Sequence, residues 1–270
     1  HRIGCVWFVP TMLYALLDHP GVGKADFSSL HTLVYSGAAA APTRIAQSLE
    51  LFGPKLLQAY GQTEAPNTIL VLNQEDHRNA SMERLQSAGR PSPGIEVKLL
   101  DDACNEVRQG EVGEICVRGP LVMSGYWNQP EQTAEAFRGD WLHTGDLAHQ
   151  DGEGYYYIVD RKKDLVITGG FNVYPREVED VLAAHPGVAA VSVFGVPDPK
   201  WGEAVTAVVV PRASERPEVD ELKALVRQAK GPVHTPKFIE FVDAIPLTSL
   251  GKPDKKALRQ RFSGLGVAAP

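Results

Sequence analysis

Polar side chains suited to nucleotide binding occur in two short segments of the sequence. In the segment AYGQTE, Tyr60 could stack its ring on a purine, Thr63 could donate to a phosphate, and Glu64 could bind Mg²⁺ through oxygen, the ligand atom this cation prefers. In the segment WLHTGDLA, Asp146 lies in a predicted turn before a strand and could accept hydrogen bonds from both hydroxyls of a ribose. An ordinary polar turn explains each segment more simply, so neither motif establishes a function alone.

A third segment, DRKKDLVITGGFNVYPREVE, combines a basic run with two adjacent glycines. Arg161 is a planar donor that could reach a ribose or a phosphate, whereas Lys162 and Lys163 are compatible with a solvated linker. Gly169 and Gly170 would permit close approach of a ligand or a turn with positive φ. Taken by itself, this pair of glycines predicts a turn at the end of a strand.

A single lysine stands near the C-terminus in a loop that neither a helix nor a strand can continue. Lys252 lies between Gly251 and Pro253, and glycine and proline are the strongest breakers of regular structure. By itself the position suggests a solvated loop charge, which is also our interpretation of Lys255 and Lys256. A catalytic role for Lys252 therefore depends on what the rest of the chain contains.

The first part of the chain predicts an α/β sheet that would position the polar loops. A short apolar strand at 33–35 precedes a helix at 42–52, and KLLQAYGQTE repeats the pattern of a strand followed by polar groups. Helical spacing of apolar residues also predicts a helix at 11–18. Loops at the ends of such strands are where ligands bind in open α/β sheets.

The pattern of apolar and polar residues changes twice after this region. From Gly94, the runs GIEVKLLDD, GEICVRG and GYYYIVDR alternate partly and predict antiparallel strands in a β-barrel-like subdomain. Beyond the charged segment at 160–164, helices beginning at Pro175 and Pro217 alternate with strands in VAAVSVFGV, EAVTAVVVP and FIEFVDAIP. The predicted fold class is α/β plus α+β, with a small α+β domain at the end of the chain.

Composition narrows the class of protein. The 270 residues carry a net charge of −6, which argues against a nucleic-acid partner because such proteins need a basic face. The three cysteines are widely spaced, and no apolar run approaches the roughly 20 residues that span a bilayer, so we expect a cytoplasmic protein with reduced thiols. The chain opens on His1 within an apolar pattern, and we expect it to begin inside a larger fold. The sequence predicts no oligomeric state.

Seven segments, taken together and in order, resemble the adenylate-forming superfamily, which includes acyl- and aryl-CoA synthetases, nonribosomal adenylation domains and firefly luciferase. They are SGAAA, YGQTE, GRPSPGIEVKL, GEICVRGPLVMSGYWNQPEQTAEAF, WLHTGDLA, GYYYIVDRKKDLVITGGFNVYPREVE and GKPDKKALR, and they extend over nearly the whole chain. The segment ITGGFNVYPREVE is most similar to the fatty acyl-CoA synthetase branch. The resemblance implies that a carboxylic acid, a fatty acid in that branch, is activated with ATP and Mg²⁺ to an acyl-adenylate whose acyl group passes to CoA.

The resemblance also implies a division of the chain. Residues 1–163 would be the C-terminal part of the large AMP-binding domain, with an α/β portion at 1–93, a β subdomain at 94–159 and a hinge at 160–163. Residues 164–270 would be the mobile C-terminal domain. In the superfamily this domain turns about the hinge between the two half-reactions.

Site residues follow from the resemblance position by position. It implies nucleotide contacts from Gly37, Ala38, Tyr60, Gly61, Thr63, Asp146, Ile158, Arg161 and Lys252. It assigns catalysis to Lys252, Glu64 and Thr63, with Glu64 also holding the metal. It places Lys163 at the hinge and Gly169, Gly170 and Phe171 along the CoA path.

The chain departs from the superfamily pattern at two places. The Ser/Thr/Gly-rich phosphate loop is not found in it, so we expect the chain to be inactive alone and to form the C-terminal half of a longer enzyme. Pro253 stands where an apolar residue such as Ile is commoner. Three alternatives remain open: a luciferase-like oxidoreductase, an adenylation domain that serves a carrier protein, and a non-catalytic AMP-binding fragment.

Overall fold

A computed structural model describes residues 2–212, 216–248 and 252–266. The chain divides into two compact units, His1–Ile158 and Val159–Pro270. The domain boundaries predicted from the sequence stay predictions, and residues 267–270 of the predicted second domain lie outside the described residues, as does Gly251 of the lysine loop. None of the helices in the described residues combines the length and the apolar character that a membrane span needs.

The first sheet of the N-terminal unit begins with parallel strands and ends with antiparallel ones. In spatial order its strands are β1 (Cys5–Phe8), β2 (Thr32–Ser36), β3 (Leu56–Gln62), β4 (Ala65–Leu72) and β5 (Arg90–Pro91). The pairs β1–β2 and β2–β3 are parallel, whereas β3–β4 and β4–β5 are antiparallel. This arrangement confirms the predicted α/β sheet.

Two helices connect the parallel strands and cover the sheet. They are α1 (Pro10–Leu17) and α2 (Pro42–Phe52), and a short α3 (Gln74–His77) follows β4. Both longer helices begin at a proline, whose missing N–H has no intrahelical partner at that position anyway. Leu13 of α1 and Ile45 of α2 are fully buried with Leu33 and Leu56 of the sheet. Both predicted helices are therefore confirmed.

The second sheet of this unit is antiparallel where its pairing is described. Its strands are β6 (Glu96–Leu100), β7 (Gly113–Arg118), β8 (Phe137–Arg138), β9 (Trp141–Gln150) and β10 (Tyr156–Arg161). The order is β10–β9–β7–β6, with β8 beside β9 and α4 (Pro130–Ala136) before β8. The strands predicted in this region are confirmed.

The prediction that these strands form a barrel-like closure is wrong. Closure would require the two edge strands, β6 and β10, to pair with each other. In the described part of the chain, the edge of β10 instead pairs with the segment before β5: Tyr156 N donates to Gly89 O at 2.9 Å, and Ala88 N donates to Tyr156 O at 2.8 Å. The sheet therefore stays open at β6.

The C-terminal unit is an α+β sandwich, as predicted. Its strands are β11 (Val166–Thr168), β12 (Phe171–Val173), β13 (Val188–Asp198), β14 (Gly202–Pro211) and β15 (Phe238–Phe241). The order is β12–β11–β14–β13, with β15 parallel to β14. Its helices are α5 (Pro175–Ala183), α6 (Val219–Lys230) and α7 (Lys255–Phe262).

The period-two alternation of β13 and β14 divides the core of this unit into two clusters. Val193 packs in a cluster with Val178 of α5, whereas the next residue, Phe194, packs in a cluster with Leu258 of α7. Successive side chains of a strand point to opposite faces of the sheet, so the two helices cover opposite faces. The near-continuous apolar runs that predicted these strands are the signature of burial on both faces.

Candidate functional site

The candidate nucleotide site of the N-terminal unit is centred on a hydrogen bond between two buried side chains. Tyr60 Oη donates to Asp146 Oδ2 at 2.7 Å, although the two residues are 86 positions apart in the chain. Tyr60 is 9% exposed and Asp146 is 5% exposed. The phenol therefore holds the orientation of a carboxylate that has little contact with water.

Tyr60 lies in a strand, and not in the turn that the sequence predicted. It belongs to β3, and only Thr63 and Glu64 form the turn that leads to β4. The apolar run LLQAY continues the strand, because its alternate residues pack in the core. The parallel strand β2 ends beside this position, since Ser36 pairs with Ala59.

Four further predicted nucleotide contacts lie at or near this strand end. Gly37 and Ala38 follow β2 directly and are exposed, and Gly37 has a φ of +82°. Gly61 follows Tyr60 within β3. Ile158 of β10 packs against the hydrophobic cluster that contains Tyr60. The fold thus brings these positions of the N-terminal unit to one region around Tyr60.

Asp146 lies within a strand, which corrects the prediction that it lies in a turn before a strand. Pairing between β7 and β9 joins Glu114 to Leu147 and Cys116 to His143, so the β9 side contains two extra residues. This β-bulge includes Gly145, whose φ of +74° is a conformation that glycine adopts without a steric penalty. Bulges re-aim side chains, and this one directs Asp146 towards Tyr60.

Hydrogen bonds from the neighbouring strand hold the bulge in place. Gly145 N donates to Glu114 Oε1 at 3.0 Å, and Thr144 Oγ1 donates to Ile115 O at 2.8 Å. Asp146 N in turn donates to Thr144 Oγ1 at 3.1 Å. Glu114, which the sequence analysis missed, is 3% exposed and acts as an internal support for the bulge.

Glu114 also belongs to a buried charged cluster beneath the bulge. Its ligand atom lies within 4.8 Å of those of Cys116 and His143, a set that could hold a metal ion. Arg138 Nη2, however, lies 3.3 Å from Glu114 Oε2 and 2.9 Å from His143 Nδ1, so a guanidinium already supplies positive charge there. We interpret the cluster as structural. No sequence spacing of the kind that marks metal motifs connects these residues.

Glu64 is oriented by the loop that follows the second sheet's β7. Tyr126 Oη donates to Glu64 Oε1 at 2.8 Å, and Met123 N donates to Glu64 O at 2.8 Å. The hydrogen bond to Glu64, followed by burial and the carboxylate charge, raises the pKa of Tyr126 above its ordinary value. Thr63, one residue earlier, is exposed. An oriented, partly exposed carboxylate suits Mg²⁺, which prefers oxygen ligands.

The remaining predicted site residues belong to the C-terminal unit. Arg161 and Lys163 are exposed, at the end of β10 and in a single 3₁₀ turn at Lys162–Asp164. Gly169 and Gly170 form a two-residue turn between β11 and β12, with φ values of +59° and +82°. This confirms the predicted turn with positive φ. Phe171 follows it and is 61% exposed.

Lys252 lies on a loop whose two arms are joined by backbone hydrogen bonds. Thr248 N donates to Lys252 O at 2.7 Å, and Asp254 N donates to Pro246 O at 2.8 Å. Asp254 then caps α7 by accepting from Ala257 N at 3.0 Å. Lys252 itself is exposed, so the fold presents its ammonium on a braced loop next to a helix.

The interpretation of Lys255 as solvated charge is wrong. Its Nζ lies 2.9 Å from Glu179 Oε1, and its side chain is only 16% exposed. Lys256, the next residue, is exposed, as expected. Two adjacent lysines point to different faces of α7, a distinction that required knowledge of which face packs on the sheet.

The fold matches solved structures of adenylate-forming enzymes. The amide bond synthetase McbA from Marinactinospora thermotolerans has a similar structure, with a TM-score of 0.89 and 45% identity, covering 97% of this chain and 53% of that one. The sequence model described as AMP-binding enzyme matches residues 1–127, and that described as AMP-binding enzyme C-terminal domain matches residues 177–252. The chain belongs to the AMP-binding enzyme family.

Two curated relatives match almost the whole chain. The medium/long-chain-fatty-acid–CoA ligase FadD8 of Mycobacterium tuberculosis is 55% identical, covering 99% of this chain and 48% of the relative. The feruloyl-CoA synthase of an Amycolatopsis species is 46% identical, covering 97% of this chain and 52% of the relative. The chain therefore spans about half the length of the curated relatives it matches.

Proposed function

We propose that this chain supplies the ribose-binding carboxylate, the metal-binding carboxylate and the adenylation lysine of an acid–thiol ligase. The ligase activates a carboxylic acid with ATP and transfers the acyl group to CoA. The observation that carries the proposal is the Tyr60–Asp146 hydrogen bond, because it holds a buried carboxylate of β9 against the end of the parallel strand β3. Ligands of open α/β sheets bind at that position.

In the first half-reaction the oxygen of the acid attacks the α-phosphorus of ATP. The bond from this phosphorus to the bridging oxygen breaks, and pyrophosphate leaves. Asp146 accepts from the ribose hydroxyls, Tyr60 lies against the adenine, and Thr63 donates to the α-phosphate. Glu64 would hold Mg²⁺, which neutralises phosphate charge when bound.

Lys252 stabilises the charge that develops in this step. The ammonium is a compact point charge, and it lowers the barrier because it meets more negative charge in the transition state than in the ground state. Arg161 contacts the ribose from its exposed position at the end of β10. Gly37, Ala38, Gly61 and Ile158 complete the walls of the nucleotide site.

In the second half-reaction the thiol of CoA attacks the acyl carbonyl, and AMP leaves. The turn at Gly169 and Gly170, with Phe171, lines the path of the CoA arm. Both glycines have positive φ; the space beside Gly169 is filled by the Trp201 side chain, whereas that beside Gly170 is open, so Gly170 presents bare backbone to an approaching ligand. Lys163 is the hinge residue about which the C-terminal domain turns between the two steps.

The acyl substrate and the acceptor are tested together by a pyrophosphate-release screen of the full-length protein. Acids from acetate to palmitate and aryl acids such as ferulate are offered with ATP, and CoA is then compared with a primary amine as acceptor. We expect release with fatty acids and CoA-dependent turnover. Turnover that requires the amine, or light emission in oxygen, would replace the proposal with an amide synthetase or an oxidoreductase.

The isolated chain of residues 1–270 is expected to release no pyrophosphate above background. Its residues include no loop of the Gly-x-x-x-x-Gly-Lys-Ser/Thr or Pro-Lys-Gly kind to hold the triphosphate. The measurement compares it with the full-length protein at equal concentration. Turnover by the isolated chain at the rate of the full-length protein would contradict this.

Replacing Tyr60 with phenylalanine is expected to raise the KM for ATP about tenfold, since a hydrogen bond to a charged group contributes roughly 1.5 kcal/mol. The variant keeps the ring but leaves Asp146 without its 2.7 Å donor. Tyr156→Phe is the matched control, because that phenol is buried nearby and donates to Val97 O. Equal KM values in the two variants would show that the phenol does not orient Asp146.

A further inference from the structure

The helix that follows the lysine loop is joined to the rest of the C-terminal unit by a partly buried ion pair. Lys255, the first residue of α7, lies 2.9 Å from Glu179 of α5 through Nζ and Oε1. Glu179 is itself fixed, because its Oε1 also accepts from Val193 N of β13 at 2.8 Å. The side chains of the pair are only 16% and 23% exposed.

A second buried carboxylate lies within electrostatic reach of this lysine. Asp160 is 8% exposed and accepts backbone N–H groups from Arg161 at 2.7 Å and from Arg176 at 2.8 Å. Burial raises the pKa values of both Asp160 and Glu179, and the positive charge of Lys255 opposes this shift in each case. The ammonium of Lys255 thus favours the ionised form of two carboxylates from different elements, and it forms an ion pair with Glu179.

One turn further along α7, an arginine contacts the segment 160–164, which begins at the end of β10. Arg259 Nη2 donates to Asp164 Oδ1 at 3.0 Å. It also makes a longer hydrogen bond, of 3.5 Å, to Lys163 O. Lys255 and Arg259 are spaced i, i+4 and therefore share one face of the helix. Through these two side chains, α7 contacts Glu179 of α5 and the Asp164 end of the segment 160–164, which includes the proposed hinge.

We propose that Lys255 is a positioning residue for adenylation, which fixes α7 and the loop of Lys252 to α5 through Glu179. This inference rests on the proposed function of Lys252. Only two residues separate Lys255 from Lys252. Two backbone hydrogen bonds join the arms of the loop, from Thr248 N to Lys252 O and from Asp254 N to Pro246 O. Displacement of the first turn of α7 therefore moves the ammonium of Lys252. A misplacement of about 1 Å can lower a rate by about 10²-fold.

The experiment compares Lys255→Met with Lys256→Met in the full-length protein. The two variants remove the same charge from adjacent positions of α7, one paired with Glu179 and the other exposed. We expect Lys255→Met to lower the rate of acyl-adenylate formation about 10- to 100-fold, with a KM for ATP within about twofold of the parent. Lys256→Met is expected to stay within about twofold in rate.

A double variant separates positioning from a general loss of structure. If Lys255 acts through Lys252, then Lys255→Met adds no further loss of rate to Lys252→Ala, because residues that act as a unit are not additive. Thioester formation from preformed acyl-adenylate stays unchanged, and Lys255→Arg restores most of the rate. A multiplied loss in the double variant, or equal losses in both half-reactions, would overturn the proposal.

The outcomes also distinguish this inference from the function on which it rests. If Lys252→Ala leaves adenylation unchanged, the proposed function fails. If Lys252→Ala abolishes adenylation while Lys255→Met matches Lys256→Met, only the positioning role fails. Should Lys255→Met not fold, Glu179→Gln takes its place with the same expectations, since its amide oxygen still accepts from Val193 N.

Discussion

Replacement of Lys252 with alanine in the full-length protein is expected to lower the rate of adenylation by about 10²–10³-fold, the usual effect of removing one preorganised donor to the transition state. The loop that presents Lys252 is braced by the 2.7 Å bond from Thr248 N, so the variant loses the ammonium and keeps the backbone. Pyrophosphate release at saturating acid and ATP measures the effect.

The second half-reaction serves as the internal control for this variant. Thioester formation from preformed acyl-adenylate and CoA should proceed at the parent rate, because in the proposed mechanism the C-terminal domain has by then turned about Lys163 and withdrawn Lys252. Lys256→Ala removes an exposed ammonium four residues later and should leave both rates within about twofold. A loss of equal size in both half-reactions would mean that Lys252 has a structural role.

Replacement of Lys163 with proline is expected to leave adenylation within about threefold of the parent and to lower transfer to CoA by at least about 10²-fold. Lys163 lies in a single 3₁₀ turn, where φ is already near the value that proline imposes. The turn can therefore form, but rotation about this residue to a second state cannot follow. Hinges are positions that absorb such changes in φ and ψ.

Lys163→Ala is the matched control for the proline variant. It removes the side chain and retains the backbone freedom of an ordinary residue, so both half-reactions should remain within a few fold of the parent. The carbonyl of Lys163, 3.5 Å from Arg259 Nη2, is present in both variants. Unchanged transfer to CoA in Lys163→Pro would exclude this residue as the hinge.

The sequence was sufficient to predict those helices, strands and turns whose bounds are marked by neighbouring residues. Proline at the start and glycine after the end delimit α2 at Pro42–Phe52, and the apolar runs of β13 and β14 identify strands buried on both faces. The adjacent glycines at 169 and 170 predicted the turn that the structure contains. The ordered series of motifs also identified the family before any geometry was known.

Contacts between residues far apart in the sequence determine how the strands of the second sheet pair and which side chains lie together. The barrel-like closure was wrong because Gly89, far from β10 in sequence, occupies its edge. The turn predicted to contain Asp146 is a bulge, because Glu114 and Ile115 of β7 accept hydrogen bonds from Gly145 N and Thr144 Oγ1. Neither contact has a counterpart in the spacing of residues along the chain.

The sequence by itself therefore determined the class of protein, most helices and strands, and the identities of the candidate site residues. Only the tertiary structure shows that Tyr60 lies in a strand and donates a hydrogen bond to Asp146. It also shows that Lys255 forms an ion pair whereas Lys256 is exposed to solvent. The physical reason is that backbone preferences act over a few residues. Burial and the pairing of charges, in contrast, depend on segments brought together from 76 or 86 positions away.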